Sequence, residues 1–457
     1  MMDDCSKITR AELVSALSRA LDITEGQSEG HGVRCAWIGL NIANQVGIEK
    51  SGLADLYYTL LLKDIGCSSN AARICELYLA DDLTFKQDFK NMNDSLPQML
   101  GFILSHTGLK SGLAERFRSL VTIFTEGGRI ARELIETRCQ RGAEIVRQMR
   151  FSETVAQGIL DLDEHWDGQG KPVGISGHGI SIHARIALLA QVIDVFHASG
   201  GKDAALREVR ARSGTWFDPS LVSAFERKAE QPTFWSKLTS PNIQNIVIAL
   251  APEEQGEFID EDYLDAVAEA FAQVVDSKSP YTAGHSDRVT LFTDLIAEQL
   301  GLTFEHRRFL KRAALLHDLG KLGVSNQILD KPGKLDDAEW VEMKKHPEQS
   351  RSILSGIRAF EKLARVAGDH HEKLNGMGYP RGISGNDIAL DSRIITVADI
   401  FDALTAARPY RGPMAVDKAL AIMREDVGTA IDADCFAALE RALARLEKVN
   451  PTQLVAA

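Results

Sequence analysis

Residues 309–320, FLKRAALLHDLG, and residues 56–66, LYYTLLLKDIG, align without a gap once Gly30-His31 is set on Gly284-His285. Each stretch spaces apolar side chains at three- and four-residue steps and ends on a glycine, the pattern of an amphipathic helix running into a turn. Lys63-Asp64 then face His317-Asp318. Further along, DEHWDGQGKPVGISG (163–177) falls on HHEKLNGMGYPRGISG (370–385), so that Gly168, Gly170, Pro172 and Gly174 to Gly177 match Gly376, Gly378, Pro380 and Gly382 to Gly385. Gly214-Thr215 and Asp218 pair with Gly428-Thr429 and Asp432. Ungapped matches that share turn glycines indicate two copies of one domain.

The expected copies span residues 1–240 and 262–457, with a linker at 241–261 and an insertion in the first copy at about 67–138 that would serve as a lid or partner surface. QPTFWSKLTSPN (231–242) and APEEQGE (251–257) are rich in turn formers and break the helical pattern near the join. ITRAELVSALSRALDI, YLDAVAEAFAQVVDS, SDRVTLFTDLIAEQLG and CFAALERALARLEKV repeat the helical spacing, with Gly301 placed as a C′ glycine. The run Ile246 to Leu250 is the main strand candidate. The expected fold class is therefore all-α: two tandem helical domains.

The chain has 457 residues, 44% of them hydrophobic and 25% charged, enough for two or three domains with cores of their own. Lys and Arg total 52 against 64 Asp and Glu, a formal charge of −12 that opposes sequence-independent binding to a nucleic acid polymer or an anionic membrane. MMDDCSKITR is acidic and lacks a signal-peptide core, and no apolar run reaches the ~18 residues of a membrane span. A cytoplasmic address is the expectation. Cys5, Cys35, Cys67, Cys75, Cys139 and Cys435 show no C-x-x-C spacing and read as reduced, mostly buried thiols.

The second copy gathers His285, His317, Asp318, His346, the adjacent pair His370-His371, and Asp399 in chain order. Neighbouring helical residues point about 100° apart, so an adjacent His-Asp or His-His pair chelates one ion only near a helix end, or else serves two ions. Gly320 and the EKLNGMGYP turn supply such ends. Imidazole with carboxylate suits Fe, Mn or Zn better than Ca, and the absence of cysteine ligands argues against a structural zinc site. Seven ligands exceed one ion's needs; two ions about 3.5–4 Å apart would use them. A lone histidine is usually a core or surface residue, and His306 in FEHRRFLKR is read that way.

These residues resemble the HD-GYP phosphodiesterases, a branch of the HD metal-dependent phosphohydrolases, here in a tandem form with a degenerate N-terminal copy. The carriers are GHSDRV with His285, LLHDLGK with His317, Asp318 and Lys321, KHPEQS with His346, HHEKLNGMGYP with His370, His371 and Tyr379, VADIFDALT with Asp399, and ARPYR with Arg408 and Arg411. The resemblance implies that His285, His317, Asp318, His346, His370, His371 and Asp399 ligate metal, with Asp318 as the bridge. It implies two divalent ions, Fe or Mn first and Mg, Ni or Zn as alternatives. Asp318 and Lys321 would act in catalysis, and Lys321, Tyr379, Arg408 and Arg411 would contact the substrate. That substrate is a cyclic dinucleotide, chiefly cyclic di-GMP, opened to the linear dinucleotide. The alternatives are 3'3'-cyclic GMP-AMP as the substrate, or a non-catalytic cyclic-dinucleotide receptor.

Three positions depart from the family pattern. Tyr281 stands where members with a third metal carry glutamate, Asn375 replaces an aspartate whose charge would lie beside the ligands, and Ser350 replaces a glycine. None removes a ligand. In the first copy, by contrast, His31 and Asp64 remain but Lys63 replaces His317, Cys67 replaces Lys321, Arg138 replaces His346, Leu162-Asp163 replace the histidine pair and Gln191 replaces Asp399. An ammonium at Lys63 would repel a cation. This copy is expected to be catalytically silent, serving as a pseudo-dimer partner or a regulatory module; His165, His178, His183 and His197 do not form a replacement site. A homodimer of the whole chain is left open.

Overall fold

A computed structural model describes residues 8–90, 96–109, 112–252, 259–409 and 411–449; the side chains of residues 90, 96–100 and 447–449 are not described. The acidic start of the chain with Cys5, most of APEEQGE and part of the insertion lie outside the described residues. The chain divides into two compact units, Met1–Tyr263 and Leu264–Ala457. Both are built from helices, and the described residues contain isolated bridges but no strand. No described helix is long and apolar enough to cross a membrane.

In the second unit, helix Phe304–Leu316 begins at Thr303, whose hydroxyl accepts the His306 N–H and so satisfies one of the unpaired donors of the first turn. It buries Leu310, Ala313, Ala314 and Leu316. Helix His285–Gln299 lies against it and against Leu390–Thr405, while His346–Ser355 packs on Glu361–Asp369 and on the tight turn Leu319–Gly323. That last approach depends on Gly320: a Cβ there would stand 2.0 Å from the His346 carbonyl oxygen and 2.8 Å from the Ser350 nitrogen. Ser350 fits the tight space, since its buried hydroxyl accepts the Gly320 N–H at 2.8 Å.

The same local devices recur within the first unit. A Cβ on Gly66 would meet the Arg138 carbonyl oxygen at 2.0 Å and the Gly142 nitrogen at 2.7 Å. His31 Nδ1 and Arg34 hold Asp194 as His285 Nδ1 and Arg288 hold Asp402. Lys171-Pro172 and Tyr379-Pro380 are both cis.

Two local expectations change. The strand candidate Ile246–Leu250 lies mostly in the helix Ile243–Ile248, whose Val247 is fully buried, because packing against helix His31–Val46 overrides β-branched propensity. QPTFWSKLTSPN likewise contains the helix Pro232–Leu238, and Phe234 and Leu238 are each 1% exposed, so this stretch belongs to the first unit's core. Cys35, Cys67, Cys75, Cys139 and Cys435 are free, and all but Cys75 are buried.

Candidate metal centre

Four elements of the second unit bring their ends to one point. His285 opens its helix after Gly284, which takes the left-handed conformation (φ 67°) that favours glycine. His317 and Asp318 lie where helix Phe304–Leu316 gives way to the Leu319–Gly323 turn. His346 opens helix His346–Ser355, His370 and His371 follow helix Glu361–Asp369, and Asp399 sits within Leu390–Thr405.

The seven side chains converge. Asp318 Oδ2 lies 3.2 Å from His285 Nε2 and 3.3 Å from His317 Nε2. Its other oxygen, Oδ1, lies 3.3 Å from His346 Nε2 and 3.7 Å from His370 Nε2. Asp399 completes both sides, with Oδ1 at 3.5 Å from His285 Nε2 and Oδ2 at 4.0 Å from His371 Nδ1. The ligand atoms of His285, His317 and Asp399 lie within 4.8 Å of one another, as do those of His346, His370 and His371.

The outer nitrogens fix how these rings face inward. His317, His346 and His370 each place Nδ1 on a backbone carbonyl, of Ala314, Met343 and Ala367, at 2.6, 2.7 and 2.5 Å. A carbonyl only accepts, so Nδ1 carries the proton and Nε2 turns a lone pair into the cluster. His346 Nε2 and His370 Nε2 are 3.4 Å apart, two lone pairs face to face. His317 Nε2 and Asp318 Oδ1 are buried without a hydrogen-bond partner among the described residues. Inward-facing lone pairs and buried carboxylate oxygens at this spacing have the donor chemistry of a divalent-cation site.

The electrostatics agree. Burial drives His346 down to about 3 and His370 to about 4, and holds His371 well below its ordinary value, so these rings are neutral ligands. Burial works against the Asp318 charge, but the Lys321 ammonium beside it and the hydrogen bond from His285 outweigh it and keep the carboxyl well below the usual range. His285 differs: burial would lower it, yet hydrogen bonds to Asp318 and Asp402 raise it to about 9. A cation held at Nε2 would have to displace that proton.

Of the expected substrate contacts, the Lys321 ammonium pairs with Asp318 and the Tyr379 ring lies over His371 with centroids 4.8 Å apart. Tyr379 is carried there by a turn that needs Gly378, where a Cβ would meet the Lys373 nitrogen at 2.4 Å. Glu372 holds the turn by accepting the Arg381 and Gly382 N–H groups. Arg408 reaches to 3.9 Å from Asp402. Arg411 instead donates to the Leu404 and Ala403 carbonyls, capping the end of its preceding helix. Asn375 also differs from the reading above: it is exposed and its Oδ1 accepts the Met377 N–H, so it shapes the turn as Asp167 does in the first unit. Tyr281 is 36% exposed, and His306 is a surface residue bonded to Asp391.

Sequence reasoning missed Asp402. Its carboxylate takes His285 Nδ1 at 2.7 Å together with Arg288, and the signal was its place one turn after Asp399 on the same helix. In the first unit Lys63 puts its ammonium 3.1 Å from His31 Nε2 and pairs with Asp64. His165, His183 and His197 are spent on Trp216, the Gly52 carbonyl and Trp235.

Comparison with known proteins follows the same lines. The HD domain family model matches residues 123–221 and 269–435. The 3'3'-cGAMP-specific phosphodiesterase 3 of Vibrio cholerae serotype O1 is 54% identical over 433 residues, covering 95% of this chain and 94% of that protein. The 3'3'-cGAMP-specific phosphodiesterase 1 of the same organism is 32% identical over 318 residues, covering 66% of this chain and 73% of its own length. A crystal structure of a cyclic GMP-AMP-specific phosphodiesterase of V. cholerae superimposes with a TM-score of 0.66 at 49% identity, covering 95% of this chain and 97% of that one. The chain thus belongs to the HD-domain family, in the HD-GYP branch of metal-dependent phosphohydrolases.

Proposed function

We propose that the second unit opens a cyclic dinucleotide to its linear form at a pair of divalent cations, and that 3'3'-cyclic GMP-AMP stands ahead of cyclic di-GMP as the substrate. The observation that carries the reaction class is the Asp318 carboxylate, one oxygen toward His285 and His317 and the other toward His346 and His370. The substrate preference rests on the relatives: two that act on 3'3'-cGAMP match most of this chain, whereas the cyclic di-GMP phosphodiesterase response regulator of Xanthomonas campestris matches 39% of it.

His285, His317 and Asp399 would hold one ion and His346, His370 and His371 the other, with Asp318 shared. Fe or Mn suits this nitrogen and oxygen set. Bound there, divalent cations supply Lewis acidity toward a phosphate oxygen and make water a stronger nucleophile. The chain's own groups do the rest. Lys321 holds a positive charge beside Asp318, where it offsets the charge that grows on the leaving oxygen. Arg408, 3.9 Å from Asp402, would grip phosphate oxygens, while Arg411 steadies the helix end before it. Burial raises the Tyr379 hydroxyl above its ordinary value, so it remains a neutral hydrogen-bond donor over the cluster.

In this reading the first unit is a degenerate copy in which Lys63 replaces a metal, kept for packing and regulation. The free thiols support a reducing, cytoplasmic setting, and the −12 charge supports a small ligand over a nucleic acid polymer. The test incubates metal-loaded protein with 3'3'-cyclic GMP-AMP, cyclic di-GMP and a phosphate monoester and follows products by chromatography. Linear dinucleotide from the mixed substrate, lost in Asp318→Ala and retained in Lys63→Met, is the expected result. Turnover that survives Asp318→Ala, or hydrolysis of the monoester alone, overturns the proposal.

A further inference from the structure

The first unit holds a partly open cavity of about 310 Å³, at the low end of the range for small-molecule sites. Ile74, Tyr78, Phe85, Leu134 and Trp216 give it an apolar, largely aromatic wall. Ile74, Tyr78, Phe85 and Leu134 come from the segment inserted relative to the second copy, so the insertion builds the wall.

Gln191 also lines this cavity. Its side chain is nine-tenths buried, and its amide oxygen has no hydrogen-bond partner among the described residues. A buried acceptor left without a donor costs about 1–3 kcal/mol, and a ligand carrying an N–H group would remove that cost. Gln191 stands where the second copy has Asp399: a position that faces cations there offers a neutral amide here.

Three of the four lysines and arginines that line the cavity are already committed. Lys86 pairs with Glu25 and donates to the Thr24 and Cys67 carbonyls. Arg138 pairs with Asp163, and Arg212 pairs with Glu208 while lying 4.0 Å over the Trp216 ring. Lys171, half-buried, is the lining cation to which a phosphate would have to turn. Paired charges, flat apolar walls and one waiting acceptor select an uncharged heteroaromatic ring over an anion.

We propose that this cavity binds an uncharged purine nucleoside, with Gln191 accepting from an N–H of the base and the aromatic wall covering its face. The volume has room for a single nucleoside, and the lining differs in chemistry from the metal centre.

The full chain is titrated with guanosine and adenosine by calorimetry, beside the corresponding 5'-monophosphates. Saturable 1:1 binding of at least one nucleoside is expected, weakened about tenfold in Gln191→Leu and lost in Ala131→Trp, which fills the cavity. Both variants are checked for unchanged thermal unfolding. The proposal is overturned if neither nucleoside binds at about 1 mM, if both variants bind like the wild type, or if a monophosphate binds more tightly than its nucleoside. His317→Ala separates the two sites: it should stop hydrolysis and leave nucleoside binding untouched.

Discussion

At the scale of single residues, the chemistry is set by which nitrogen of each histidine is occupied. Three backbone carbonyls take Nδ1 of His317, His346 and His370, and Asp402 takes Nδ1 of His285. Asp402→Asn keeps the shape but replaces a carboxylate with an amide that holds His285 less firmly and in a less basic state. Metal affinity should fall by about 10–100-fold, read by competition with a chelator, while the fold is retained. Asp22 gives a different reading. Burial pushes its carboxyl up to about 7, against the pull of the Gly32 N–H and Lys63. The unfolded group releases its proton near 3.8, so between these values the folded chain holds more protons and stability falls as pH rises from about 4 to 7. Asp22→Asn should flatten that part of a stability profile measured by denaturant unfolding.

Among elements, the close crossing of the Leu319–Gly323 turn under helix His346–Ser355 brings Asp318 beside His346. Gly320→Ala would drive a Cβ into the His346 carbonyl, and neither backbone can yield without separating the two ligands. We expect a loss of about 3 kcal/mol or more in chemical unfolding together with lost metal, whereas Gly66→Ala should destabilise the chain and spare the metal. The helices themselves were legible in the sequence, because capping residues such as Thr303 and the three- and four-residue apolar spacing act locally. Ile246–Leu250 was misread because a short apolar run takes its form from what it packs against, and that information lies two hundred residues away in helix His31–Val46.

On the scale of the molecule, the repeat told the most. Aligning the two halves brings the GISG turns and the close approaches at Gly66 and Gly320 into register, and the candidate ligands of the second unit follow one another in chain order. What stayed hidden were contacts made by residues without a motif: Asp402 behind His285, Arg411 on its helix end, and the cavity that the inserted helices add to the first unit. Such roles depend on distances across the fold, which spacing along the chain does not encode. In the proposed reading, cations gather in the second unit around Asp318, and Lys63 stands in their stead in the first. Metal content per chain, measured on the wild type, Asp318→Ala and Asp64→Ala after identical loading, tests it directly. About two ions are expected in the wild type and in Asp64→Ala and essentially none in Asp318→Ala; full metal in Asp318→Ala, or its loss in Asp64→Ala alone, would rule this reading out.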